Sequence, residues 1–124
     1  MIETTLRNIL IADNKIKSLV SGRVYLGALP QNPVLPAISF FRVSNYRPHN
    51  LNTASPRFQF DCWATSYSVA VELGDEIRKA LHGKQGIFTG IQVVQGTYLS
   101  DDILYEPDTK IFHLALDAKI IYRD

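Results

Sequence analysis

The sequence predicts an α+β fold: an N-terminal helix, an antiparallel or mixed β-sheet with one long amphipathic helix packed on it in two layers, and a closing β-hairpin. Three observations predict it. Apolar residues recur at helical spacing in two places, Ile2-Leu6-Ile9-Leu10 and Val69-Ala70-Leu73-Ile77-Ala80-Leu81. They alternate with period two in two others, Phe58-Phe60-Cys62-Ala64 and Phe112-Leu114-Leu116-Ala118-Ile120-Tyr122. A proline turn, Glu106-Pro107-Asp108-Thr109, precedes the last of these. These two repeats return side chains to one face of a helix and of a strand respectively. Residues 1–124 read as one domain, long enough to bury roughly two thirds of the unfolded surface.

The first dozen residues form the first helix. Asp13 falls where its apolar face would continue, and serves better as a cap that starts a second short turn with Ile16, Leu19 and Val20 inward. Ser21-Gly22 ends that turn. Arg23 to Leu26 is a short strand candidate. GALPQNPVLP follows, and its three prolines remove amide donors, so it is a surface connection. Ala37 to Tyr46 is a strand with Ile38 and Phe40 on one face and Phe41 and Val43 on the other. Arg47 to Ser55 is a polar loop, mobile or used for contact.

Phe58, Phe60, Cys62 and Ala64 take the core face of the next strand, which leaves Arg57, Gln59, Asp61 and Trp63 on the outward face. Ser66 is placed to cap the long helix, Tyr67 to His82, by accepting from a free amide of its first turn. Asp75, Arg78, Lys79 and His82 lie on its polar side, and Val71 is out of place among them. Gly83 ends the helix, and His82 has a sufficient role beside the helix dipole. Ile87 to Leu99 alternates imperfectly, with Gly90 and Gly96 as bulge points. Asp101-Asp102 reads as an acidic turn, after which Ile103 to Glu106 resumes the strand. The turn on Pro107 then folds Lys110 to Tyr122 back as a hairpin under the long helix.

Composition and motifs remove most chemistry. Thirteen basic and twelve acidic residues give a net charge of +1, which disfavours a dedicated nucleic-acid binder. The single cysteine allows no internal disulfide and fits a reducing compartment. No signal peptide and no membrane span is visible, so a soluble protein made in the cytoplasm is expected. Cys62 lies among core phenylalanines and reads as a small buried hydrophobe. His49, His82 and His113 have no ligand spacing, so no metal and no cofactor is expected. Gly83-Lys84-Gln85-Gly86 lacks the P-loop spacing, and no GxSxG elbow occurs. No catalytic residue is assigned.

What remains is aromatic and apolar surface. Trp63 is either covered by the N-terminal helix or held for contact with another subunit. Tyr46 and Arg47 enter the polar loop. Trp, Tyr and Arg are enriched in interfaces, so the candidate interface residues are Arg57, Gln59, Asp61, Trp63, Val71, Tyr46 and Arg47.

The pattern Arg57-x-Gln59-x-Asp61-x-Trp63-Ala64, followed by Ser66, Ala70, Leu73, Ile77 and Leu81, resembles the tail-completion, or tail-to-head joining, proteins of long-tailed bacteriophages and prophages. The element order resembles them too, from the N-terminal helix through SGRVY and LPQNPVLP to the closing hairpin. The resemblance implies a structural virion protein and no enzyme. It implies a self-assembled ring, commonly a hexamer, at the head-proximal end of the tail, with the tail tube and the head connector as partners. DNA would pass through such a ring without sequence-specific recognition, and no membrane is involved. A ring needs two different patches per subunit; the Trp63 face is one, and the Val71 side of the helix or the 47–55 loop is part of the other. The alternatives are a tail terminator or other minor tail protein, and, from another class, a small ligand-binding domain or enzyme with a pocket near His49, Tyr46 and Asp61.

Overall fold

A computed structural model describes residues 1–48 and 52–123. The element order is α1 (Ile2–Ala12), α2 (Asn14–Val20), β1 (Val24–Leu26), β2 (Ala37–Ser44), β3 (Arg57–Ala64), α3 (Tyr67–Leu81), β4 (Gly86–Phe88), β5 (Ile91–Glu106) and β6 (Ile111–Arg123). The fold is α+β. Its six strands form one mixed sheet in the order β1-β2-β3-β6-β5-β4. β1 runs parallel to β2, and every other neighbouring pair is antiparallel.

The N-terminal helix is two helices. Ile2, Leu6, Ile9 and Leu10 are buried along α1. The Asp13 Oδ1 then accepts from the amides of Lys15 and Ile16, both at 3.0 Å, and these bonds start α2. At its far end Ser21 itself takes the left-handed conformation, with φ 51°, ahead of Gly22. Arg7 reaches from α1 to the carbonyls of Val24, at 2.8 Å, and Gly22, at 3.2 Å, so one side chain ties the helix to the start of the sheet.

The core lies between the helices and one face of the sheet. Phe40, Phe58 and Phe60 are fully buried there, with the Phe40 and Phe60 rings stacked at 5.2 Å. Leu114, Leu116, Ala118, Ile120 and Tyr122 continue that face across β6. α3 lays Ala70, Leu73, Ile77, Ala80 and Leu81 on it. Gly74 lets the helix come close: a Cβ there would sit 2.8 Å from Leu114 Cδ2. Cys62 is buried on the same face, and burial, with the charges of Asp61 and Asp101, pushes its thiol far above the ordinary cysteine range. A thiol held protonated is a poor nucleophile.

Five expectations are corrected. Asp101-Asp102 is not a turn; both residues lie inside the sixteen-residue β5. The turn that the sequence hides is at Thr89-Gly90, where both residues have positive φ and join β4 to β5. Gly96 is not a bulge: the register shifts lie at Val93/Gln95 and Tyr98/Ser100. It is there because a Cβ would come within 2.1 Å of the Leu81 carbonyl oxygen, where the end of α3 meets β5. Ser66 stands at the N-cap of α3, but its hydroxyl pairs with Ser68 Oγ at 2.9 Å and not with an amide. The role the structure gives His82 lies in its ring: Nδ1 accepts the Tyr98 amide at 3.0 Å, which fastens the helix end to β5.

Two stretches end differently from their sequence reading. β2 stops at Ser44, two residues short of Tyr46. Of the 47–55 loop, residues 49–51 lie outside the described residues, His49 among them. Its last residues join the sheet, since Ala54 and Tyr122 exchange backbone hydrogen bonds at 2.9 and 3.0 Å.

Candidate interface on the open face of the sheet

The helices cover one face of the sheet. On the other face, β2, β3 and β6 bring five side chains into one connected group. Register does this: Ser39 is opposite Asp61, and Trp63 is opposite both Ala37 and His113. His113 Nε2 donates to Asp61 Oδ1 at 2.7 Å. Gln59 Nε2 donates to the same oxygen at 2.7 Å. The Trp63 ring lies flat on the His113 imidazole, centroids 3.9 Å apart and planes 9° apart. Its indole N–H donates to Ser39 Oγ at 3.0 Å.

This group explains why Asp61 can be 5% exposed on a face without helices. A buried carboxylate is costly unless its oxygens are hydrogen-bonded. Here two donors converge on one oxygen and the Trp63–His113 stack shields the pair. The side chains of His113 and Asp61 retain only 17% and 7% of their exposure. The result is a rigid, flat aromatic surface whose polar groups are satisfied internally. An Asp–His pair is also the orienting half of a hydrolytic triad. Among the described residues, however, no hydroxyl or thiol is hydrogen-bonded to His113, and the Ser39 hydroxyl pairs with the indole.

The seven sequence-predicted residues fall in three places. Gln59, Asp61 and Trp63 belong to the group. Arg57 is exposed at the far end of the same strand, opposite Ser44 and Lys119. Tyr46 and Arg47 lie just past β2 near that end, where the Tyr46 carbonyl accepts the Ser55 amide at 2.8 Å. Tyr46 is 67% exposed. Val71 is on the opposite side of the molecule, partly packed on the core. It lines a groove of about 430 Å³ between α2 and α3 with Lys15, Tyr67, Glu72 and Glu76. The N-terminal helix does not cover Trp63; α1 packs on α2, α3 and β1.

Three residues of these arrangements escape a reading of the sequence. Ser39 and His113 complete the open-face group. Glu76, 7% exposed in α3, is ion-paired with Lys15 at 3.5 Å and accepts from Lys79 at 3.4 Å beneath the Val71 groove. Opposing polar residues on the solvent faces of β3 and β6 were the available signal for His113. The Gly83–Gly86 segment forms no anion cradle: the Gly83 and Lys84 amides bond the Gly96 and Leu81 carbonyls. Neither does the chain bring Tyr46 to Asp61, whose neighbour on β2 is Ser39, seven residues earlier. Among the described residues, no helix is long and apolar enough to cross a membrane.

Comparison with known proteins gives two positive findings. The family model described as tail completion protein gp17 matches residues 4–123. No curated protein matches the sequence. Among solved structures, the chain is similar to one from the virion of a native gene transfer agent particle, with a TM-score of 0.80 and 16% identity over 98% of this chain and 94% of that one. At that identity the likeness is one of fold.

Proposed function

This chain belongs to the tail completion protein gp17 family, and from that premise we propose that it forms a ring, a hexamer, at the head-proximal end of a phage tail and joins the tail to the head connector. It is a structural tail protein of the virion. The match over residues 4–123 carries the reading. The fold shared with a chain of a phage-like particle supports it. So does the division of the molecule: a helical layer over one side of the sheet leaves the other side for neighbours.

Two distinct patches suit the heterologous contacts of a ring. One is the open-face group around Trp63, with Gln59, Asp61 and Arg57. The other is the groove side of α3 at Val71, or the segment at Tyr46 and Arg47. The group's geometry serves contact better than turnover, because its aromatic plane is held in place before any partner arrives and little freedom is lost on binding.

The test is a particle assay. A phage lacking this protein is expected to yield filled heads beside finished tails of normal length that do not join. Tails of uncontrolled length would overturn the joining role in favour of tail termination. Joined, infectious particles would overturn both.

A further inference from the structure

Besides the three-residue outer strands β1 and β4, two stretches of the sheet's edge have no partner among the described residues. The first is on β5. β4 covers only Ile91–Val93 of that strand. Next, Gly96 bonds Gly83 and Lys84, and the Tyr98 amide goes to His82, so the backbones of Gly96 and Tyr98 point away from β6. The extra residue in the bulge at Leu99 shifts the alternation by one. Beyond it, the N–H and C=O of Asp101, Ile103 and Tyr105 point outward. β6 agrees: its even residues turn to the other side, where Ile120 and Tyr122 donate to Pro56 and Ala54. Among the described residues nothing bonds the outward groups of Leu99–Glu106.

The second stretch is on β2. β1 covers only Ile38–Phe40. Ile38 and Phe40 bond outward to Arg23 and Gly27; from Arg42 onward that side has no neighbour among the described residues. β1 itself is short, and Arg7 takes its Val24 carbonyl. Among the described residues, six of the eleven exposed large hydrophobics lie on or just beyond these two stretches: Phe41, Val43 and Tyr46 on one, Leu99, Leu104 and Tyr105 on the other.

We propose that the β5 edge of one copy, Leu99–Glu106, pairs antiparallel with the free end of β2, Phe41–Ser44, of the next copy. The sheet then runs unbroken from subunit to subunit. This rests on the ring reading and supplies its contact. Three features name a second copy as the occupant. The β5 stretch is acidic, with Asp101, Asp102 and Glu106, while the β2 stretch carries Arg42 and has Arg57 beside its end. Two β5 edges would set acid against acid. Strand direction also fits: three antiparallel steps separate β2 from β5, so the two run oppositely. Rotation about a ring axis therefore brings them together as an antiparallel ladder. Phe41 is level with Ser100 across the sheet, so the two free stretches are offset and the join is staggered, as closed sheets require.

Cysteine cross-linking tests this, because native Cys62 is fully buried. Phe41→Cys or Val43→Cys is combined in one chain with Asp102→Cys or Leu104→Cys and treated with a short bismaleimide; circular dichroism checks each fold. At least one pair is expected to give a covalent ladder that stops at the ring size, while the single-cysteine chains stay monomeric on denaturing gels. A Leu104→Cys chain that dimerises alone overturns the proposal in favour of symmetric β5 pairing. If native mass spectrometry shows the ring but no pair cross-links, the edge contact falls and the ring stands. If neither appears, both fall.

Discussion

The two faces of the sheet solve opposite problems with the same three strands. The helix-covered face excludes water by shape. Phe40, Phe58 and Phe60 interlock there and carry no polar group. The open face has no helix to cover it, so it shields itself: Asp61, His113, Gln59, Trp63 and Ser39 satisfy one another within the strands. The first arrangement gains from every buried carbon and tolerates no gap. The second is built from directed bonds, and it keeps a finished surface turned outward. Stability belongs mainly to the covered face, and the open face is the one proposed for contact.

The sharpest contrast is in reactivity. Cys62 stands on the covered face, with its thiol held protonated above its usual range. The thiolate is the nucleophile, so at pH 8 native protein should label with a thiol reagent at least about a thousandfold more slowly than denatured protein, because labelling waits on unfolding. Rapid native labelling would mean that this face opens. Next in size, Phe60→Ala leaves a cavity and should cost about 3–5 kcal/mol in urea denaturation. Asp61→Ala strips the acceptor from two donors, and about 2–3 kcal/mol of loss is expected in the same measurement. A cost as large as that of Phe60→Ala would erase the distinction between the faces.

The remaining predictions separate folding from assembly. Trp63 is half-buried, and Trp63→Ala should lose about 1–2 kcal/mol, chiefly the His113 stack and the bond to Ser39. Its effect on ring formation, read by native mass spectrometry, should be the larger. Phe41→Ser should leave monomer stability within about 0.5 kcal/mol and still weaken assembly. Unchanged assembly in both variants would confine the contact to other surfaces.

Elements with one buried side were readable from sequence. α1, β3, α3 and β6 each show a clean period because one face meets the core and the other does not. β5 did not read as one strand, since its second half is exposed on both sides and nothing there selects an alternation. Asp101 and Asp102 therefore imitate a turn. β1 is three residues long, too short for any period, and its parallel pairing depends on a chain segment that returns from Pro36. At the site, Trp63 could be named because an indole stands out on an outward face of polar residues, and Asp61 because it shares that face. Their partner His113 is fifty-two residues away from Asp61, and only strand register brings them together.

The hairpin of β5 and β6 is continuous in sequence, with a loop of four residues between Glu106 and Ile111. β1, β2 and the helices must instead be gathered from distant parts of the chain. Contacts of short sequence separation close first, since less loop entropy opposes them. The hairpin is thus the part expected to form earliest, at a time when no helix protects it. Its acidic outer strand then has a second value. During synthesis, when many unassembled copies crowd together, like charges on Asp101, Asp102 and Glu106 hold naked hairpins apart.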